Sequence, residues 1–152
     1  MKGRWGVLLL FVTSSLGAQI SASPYPPRIG VPAPGTPLRM ALMDAMRPEV
    51  ERIMGAQVQF VVQTIRVLGT QAYFSGYPVH RGGRSFTDQE IARAFDGYVF
   101  DGVQMMTWLV QRNGMWQVRE LLINQSDVGY MHWCADRSMR ALMGATCPSR
   151  YD

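Results

Sequence analysis

The sequence has few of the residues and motifs by which metalloproteins and common enzymes are recognised. Lys2 is the only lysine, and Cys134 and Cys147 are the only cysteines. Two cysteines and two separated histidines, His80 and His132, do not predict a metal site. A Gly-x-Ser-x-Gly elbow, a P-loop, a dinucleotide-binding fingerprint and a His-Glu-x-x-His motif are all missing. We therefore expect no bound metal and no cofactor.

The sequence also lacks a hydrophobic run long enough to cross a bilayer. Its most apolar stretch, residues 6–12, follows Lys2 and Arg4 and is succeeded by small residues through Ala22. A basic start, a short apolar core and a small-residue exit are typical of a secretory signal peptide. We predict a cleaved signal peptide over residues 1–22, a periplasmic or secreted bacterial protein, and no transmembrane segment in the mature chain. An uncleaved membrane anchor is the alternative, which the short apolar core disfavours.

The charge gives no sign of nucleic-acid binding. The chain has a formal net charge of +4, and removal of Lys2 and Arg4 leaves 13 basic residues against 11 acidic ones, a net charge of +2. A nucleic-acid-binding surface needs basic residues gathered into a stripe, whereas these arginines are scattered among acids. We therefore expect no nucleic-acid partner.

The two cysteines are expected to form a disulfide. An exported protein meets an oxidising environment, in which an isolated pair of cysteines is usually joined. The loop between Cys134 and Cys147 is short, so a bridge would stabilise the fold by roughly 2–3 kcal/mol. A reactive thiol or an intermolecular bridge is the alternative.

The mature chain is divided by composition into a leader and one domain. Residues 23–36 are rich in proline and glycine, which predicts an extended or flexible linker or, alternatively, a short partner-binding strip. Residues 37–152 are long enough for a single domain with one core.

Periodicity and turn signals predict the order helix, hairpin, short helix, hairpin, helix. Thr36 is a suitable cap for the first helix, Pro48 should kink or divide that helix, and a Thr87–Glu90 capping box opens the second. The predicted strands cover residues 58–68, 71–77, 98–112 and 115–123, and the predicted helices cover residues 37–54, 87–97 and 127–143. Because hairpins make antiparallel sheets, we predict an α+β fold with a four-stranded antiparallel sheet packed by three helices.

The most unusual local string follows the last predicted strand. It brings Asp127, Tyr130, His132 and Trp133 together beside Cys134. Aromatic side chains with polar groups often make contact surfaces, so we predict that these four residues bind a ligand or partner. The alternative is that the aromatic residues cover one end of the sheet while the disulfide fixes the tail.

Two acidic residues are candidates for a pocket. Asp101 and Glu120 are expected to approach each other across the second hairpin, where a buried pair could serve as acid and base. The alternative is that both are exposed strand residues beside arginines such as Arg119. His80 lies in a Gly-rich loop and is expected to be solvated.

Residues 42–51, 58–62 and 109–118 resemble stretches of small uncharacterised exported bacterial proteins. The hairpin that ends in Gly114-Met115-Trp116-Gln117-Val118 is also similar to those of nuclear-transport-factor-like and cystatin-like α+β folds. The first resemblance implies no activity, and fold alone does not give function. We predict an exported, non-enzymatic domain that binds a protein or cell-envelope component. The alternative is a small-molecule-binding protein or small enzyme with a nuclear-transport-factor-like fold and a pocket between the sheet and the first helix.

Overall fold

A computed structural model of the chain describes residues 28–98, 102–125 and 128–148. It confirms the predicted α+β fold, because helices pack on a four-stranded antiparallel sheet whose strands lie side by side in chain order. The elements are α1 (Pro37–Met54), β1 (Val58–Leu68), β2 (Gln71–His80), α2 (Asp88–Ala94), β3 (Met105–Arg112), β4 (Met115–Ile123), a 3₁₀ turn (Met131–Ala135), α3 (Arg137–Met143) and a second 3₁₀ turn (Gly144–Thr146). The predicted signal peptide lies outside the described residues.

The first helix is continuous through its proline. Thr36 caps it by accepting a hydrogen bond from the Arg39 N–H, and Gly55 ends it in the left-handed conformation, with a φ of 65°. The buried residues of the helix recur every four positions on both sides of Pro48: Leu42, Met46, Val50 and Met54. Packing of this stripe on the sheet outweighs the hydrogen bond that proline removes, so of the two predicted outcomes, a kink or a division, the division does not occur.

Two strand boundaries differ from the predictions. β3 begins at Met105 rather than at residue 98, because Gly102 takes a positive φ of 64° in a turn that interrupts the apolar run. β2 continues to His80, three residues beyond the predicted end. Its Pro78 is tolerated because β3 pairs with β2 only as far as Gly76, so one side of the strand is free of a partner there.

One face of the sheet packs against α1 and α2. We call this cluster the α1 core. Its central buried residues are Leu42, Met46, Val50, Ile65, Phe74, Ile91, Met105 and Leu109. They are aliphatic or sulfur-containing apart from Phe74, and they come from both helices and from three strands. This cluster is therefore the larger of the two that hold the fold together.

The opposite face carries a second cluster, which we call the C-terminal core. Its buried residues are Tyr73, Trp108, Trp133, Cys134, Met139, Leu142 and Met143. The sulfurs of Cys134 and Cys147 lie 2.11 Å apart, at bonding distance, as predicted. The last predicted helix is split, because Asp136 has an extended backbone and caps α3 by accepting hydrogen bonds from the Ser138 and Met139 N–H groups.

The described part of the predicted linker contacts the domain. Gly30 pairs with Val67 at the end of β1 through two backbone hydrogen bonds of 2.8 Å. The Pro32 carbonyl accepts a hydrogen bond of 3.2 Å from the Arg39 guanidinium. Residues 30–32 are therefore held between the edge of the sheet and the first turn of α1.

Candidate functional site

The strand register places a row of aromatic and charged side chains on the face of the C-terminal core. Tyr73 lies opposite Trp108, and Trp108 lies opposite Glu120. The register shifts after this pair, so that Arg119 is an extra residue in β4. Such a bulge re-aims side chains locally, and here the Arg119 guanidinium lies 4.0 Å from the centre of the Trp108 ring. This distance is within the range of a cation–π contact.

The 3₁₀ turn brings His132 onto the same row. The Nε2 atom of His132 lies 2.8 Å from one carboxylate oxygen of Glu120 and 3.0 Å from the other. The side chain of His132 is 58% exposed and that of Glu120 is 34% exposed. The contact therefore ties the C-terminal segment to β4 at the protein surface.

We use the name C-terminal patch for Arg119, Glu120 and His132, together with Val128 and Tyr130 of the turn that leads to His132. Val128 is exposed, and its carbonyl accepts the Met131 N–H, which places it at the start of the same turn. Tyr130 is half-buried against the C-terminal core. The patch thus offers a cation, a carboxylate, an imidazole, a phenol and an aliphatic group above an aromatic base.

Trp133 lies beneath this surface rather than on it. Its side chain is fully buried, and its ring makes edge-to-face contacts with Trp108 and His132 at centroid distances of 6.1 and 6.0 Å. The predicted direct contact between Trp133 and a partner therefore does not fit this conformation, because core packing occupies the ring. Of the other predicted binding residues, Tyr130 and His132 are on the patch, and Asp127 lies outside the described residues.

The predicted pairing of Asp101 with Glu120 finds no support in the described part of the sheet. The described β3–β4 ladder begins with Met105 opposite Ile123. Asp101 lies outside the described residues, so its pairing with Glu120 stays a prediction, and Glu120 itself contacts His132. The contact between Glu120 and His132 could not be predicted from the sequence. It depends on a strand bulge and a 3₁₀ turn, and neither leaves a local sequence pattern.

A second polar group of residues lies at the far end of β2. His80 is half-buried rather than solvated as expected: its ring stacks 4.0 Å from the Phe86 ring, and its Nε2 atom lies 3.0 Å from Glu90 Oε1. Extension of β2 to residue 80 and the position of the capping box bring these side chains together. Both histidines of the chain are thus bonded to a glutamate.

The Glu90 carboxylate is the shared hydrogen-bond acceptor of this second group. Its carboxylate accepts hydrogen bonds from the Arg84 guanidinium at 3.0 and 3.2 Å and from the Thr87 N–H at 2.8 Å. The Arg84 guanidinium, followed by the Thr87 backbone and hydroxyl donors, holds the pKa of the Glu90 carboxyl well below its usual range. Glu90 is therefore ionised at neutral pH and fixes the loop to α2.

A cavity of about 320 Å³ lies beside Glu90 and His80. Its apolar wall comes from Ile53 and Met54 at the end of α1 and from Phe86. This volume is near the lower limit for a small-molecule site. The cavity lies between α2 and the end of α1, rather than between α1 and the body of the sheet as expected for a pocket.

A second cleft has a volume of about 420 Å³ and is lined mainly by polar side chains. Two of these side chains have a structural role. Arg47 donates a hydrogen bond of 2.6 Å to the Val58 carbonyl, and Glu51 accepts one of 3.1 Å from the Val58 N–H. The charged groups of this cleft therefore hold α1 against the start of β1 and are already engaged.

No family model, curated protein or solved structure matches this chain. Across residues 28–98, 102–125 and 128–148, no three histidine, cysteine or acidic side chains are grouped as a metal site requires. The same ranges contain no helix with the length and apolar character of a membrane span.

Proposed function

We propose that this protein is an exported, non-enzymatic binding domain whose C-terminal patch contacts a protein or another component of the cell envelope. The observation that carries the proposal is the Arg119 guanidinium stacked 4.0 Å above Trp108, beside the bonded pair of Glu120 and His132. Arginine and aromatic residues contribute most of the binding energy in many interfaces.

Preorganisation supports this use of the patch. Trp108 and Trp133 are buried and pack against each other, so the base of the surface is rigid. Stacking restricts the Arg119 side chain before any partner arrives, which reduces the entropy that would be lost on binding. The planar guanidinium then remains able to donate hydrogen bonds to a carboxylate or a backbone carbonyl of the partner.

The exposure of Glu120 and His132 favours a binding role for these residues over a catalytic one. Glu120 and His132 are bonded to each other at the surface, and His132 is more than half exposed. Acid–base and electrostatic catalysis are strongest in a water-excluded site, where charges interact in a low dielectric. An exposed pair is better suited to complementary contacts with a partner.

Export is supported by two independent features. The predicted signal peptide supplies the route, and the Cys134–Cys147 pair at bonding distance fits an oxidising compartment. The envelope is therefore where a partner should be sought.

The test is affinity capture from envelope extract with the exported protein as bait. The variant Arg119→Ala/His132→Ala removes the centre of the patch, and the matched control Glu49→Ala/Arg52→Ala removes an exposed ion pair of α1. We expect a saturable partner that the control retains and the patch variant loses, while both variants keep the circular dichroism spectrum of the parent. A partner retained equally by both variants would contradict the proposed site.

A small-molecule site beside His80 is the second candidate. Its support is the cavity of about 320 Å³ together with the Glu90 carboxylate, which orients the imidazole from one side. Native mass spectrometry of the exported protein should then detect a retained metabolite that His80→Gln releases and His132→Gln does not. If both variants retain the metabolite, or the parent holds none, this candidate fails.

A further inference from the structure

The two edges of the sheet are protected to different extents. β1 and β4 are the edge strands, because the strands lie side by side in chain order. At one end of β1, the Val58 carbonyl accepts a hydrogen bond from Arg47, and the Val58 N–H donates one to Glu51. At the other end, Gly30 pairs with Val67. Proteins cover sheet edges in such ways because an open edge can pair with another chain.

The outer edge of β4 has no such cover among the described residues. β4 pairs with β3, and no further hydrogen bond between described residues reaches the main chain of Met115–Ile123. The bulge at Arg119 interrupts this edge, but main-chain groups on both sides of the bulge are left without a partner in the sheet. β4 is therefore the edge at which a further strand can be added.

The ladder shows which residues in the first half of β4 direct their main-chain groups outward. Antiparallel strands alternate between pairs that are bonded to each other and pairs whose N–H and C=O groups point away from each other. Trp116 lies opposite Gln111, and the Gln111 N–H is bonded to the Thr70 carbonyl on the β2 side. The main-chain groups of Trp116, and those of Val118 two positions later, therefore face the outer edge.

Asn124 fixes the same alternation in the second half of β4. Its N–H donates to the carbonyl of Gln104, just before β3, so the main-chain groups of Leu121 and Ile123 face the outer edge. The extra residue at Arg119 shifts the alternation between the two halves. Positions 116, 118, 121 and 123 are thus outward-facing, and they are spaced symmetrically about the peptide bond between positions 119 and 120.

This spacing makes the edge self-complementary. If a two-fold axis passes through the centre of the bulge, two β4 strands run antiparallel, and Trp116 of each copy lies opposite Ile123 of the other. Val118 of each copy then lies opposite Leu121 of the other, so every outward-facing position meets an outward-facing position. We propose that β4 pairs with β4 of a second copy of this chain, which joins the two sheets into one of eight strands.

The side chains also favour a second copy as the occupant. The same axis places Arg119 of each copy opposite Glu120 of the other, and opposite charges that face each other across neighbouring strands are stabilising. On the α1 side, Trp116, Val118 and Leu121 are half-buried at the margin of the α1 core. Their counterparts in the other copy would cover them further. An extended segment of another protein would not share this symmetry of positions and charges.

The dimer goes beyond the binding role proposed above and does not depend on it. Arg119 and Glu120 belong both to the edge of β4 and to the C-terminal patch. Pairing of β4 would therefore bring the C-terminal patches of the two copies next to each other across the axis.

Sedimentation equilibrium of the exported protein tests the dimer, which we expect to form in the parent as the concentration is raised. Arg119→Glu should weaken it about tenfold, because both symmetry-related charge pairs become repulsive. Arg119→Glu/Glu120→Arg exchanges the charges and should restore the dimer, although the contacts of these residues with Trp108 and His132 are lost. The matched control Arg52→Glu reverses an exposed charge on α1 and should leave the dimer unchanged.

Hydrogen exchange locates the interface. The outward amides of Val118 and Leu121 should be protected in the parent dimer. They should exchange rapidly in Arg119→Glu at concentrations where this variant is a monomer.

The dimer is overturned if the parent sediments as a monomer, if Arg119→Glu leaves the dimer intact, or if exchange of the two charges fails to restore it. A monomeric parent in which an envelope partner protects the Val118 and Leu121 amides would also overturn it, and would assign this edge to an extended segment of that partner. Because sedimentation needs no partner, failure of the dimer and failure of the proposed function are separate results.

Discussion

The two faces of the sheet are covered by clusters of different composition. The α1 core is mainly aliphatic and methionine-rich, and an 18-residue helix closes it. The C-terminal core contains two tryptophans, and it is closed by a 7-residue helix, a 3₁₀ turn and a disulfide. A helix of two turns buries too little apolar surface to dock firmly by itself, so large aromatic rings and a covalent bond replace helix length on this face.

This difference bears on the proposed binding site. The α1 core contains no ionisable side chain among its buried members. Charged or titratable side chains lie at the margins of both cores: His80 and Glu90 beside Phe86 of the α1 core, and Arg119, Glu120 and His132 beside the C-terminal core. The face with the smaller, cross-linked core is thus the one that carries the C-terminal patch, and changes to the two cores should have different consequences for binding.

The largest effect is expected from truncating the aromatic centre of either core. Trp133→Ala and Phe74→Ala each remove a fully buried ring, and each should reduce the free energy of unfolding by about 3–5 kcal/mol in urea denaturation. Hydrogen exchange should distinguish them: Trp133→Ala should expose amides of residues 131–143 first, whereas Phe74→Ala should lower protection in α1. Equal loss of protection throughout both variants would mean that the two cores unfold as one unit.

Removal of the disulfide should have the next largest effect. Cys134→Ser/Cys147→Ser opens a loop of sequence separation 13, which corresponds to about 3 kcal/mol in the chain-entropy account. Denaturation of the parent with and without reductant should reproduce this loss, and the double-serine variant should be insensitive to reductant. In the double-serine variant we expect weaker capture of the partner, while the amides of α1 stay protected from hydrogen exchange. Loss of protection in α1 before α3 would contradict the separation of the two cores.

The smallest effect concerns acid stability on the α1 side. The pKa of Glu90 is lowered in the folded protein, so its contribution is complete above the pKa of an unfolded glutamate, about 4.3, and is lost as the pH falls through the folded value. Glu90→Gln should therefore be less stable than the parent at neutral pH and should lose less stability on acidification. Glu49→Gln is the control, since its carboxylate bonds to the exposed Arg52 side chain. A parent and a Glu90→Gln variant with parallel pH profiles would contradict this role.

Much of the fold could be predicted because its signals are local. The bounds of β1 and β4, the Thr36 and Thr87 caps, and the pairing of the two cysteines all follow from adjacent or closely spaced residues. Where a local signal competed with another, the prediction failed. Gly102 made a turn inside an apolar run, and packing kept α1 continuous through Pro48.

The site was less predictable because it depends on register. The string around Tyr130 and His132 predicted a binding segment, which stays a prediction, but its pattern does not say which ring faces inward, and Trp133 is buried. Arg119 was not predicted to take part, since only the bulge in β4 brings it over Trp108. The sequence of either strand alone does not show the bulge or the contact that it makes.

The proposed partner should bind at the C-terminal patch rather than at the surface of α1. The most direct test is site-specific photo-crosslinking in intact cells, with the photoreactive residue placed at position 128 in the patch or at position 52 on the exposed side of α1. We expect one discrete crosslinked species from position 128 and none from position 52. The same species from both positions, or a discrete species from position 52 alone, would contradict the account.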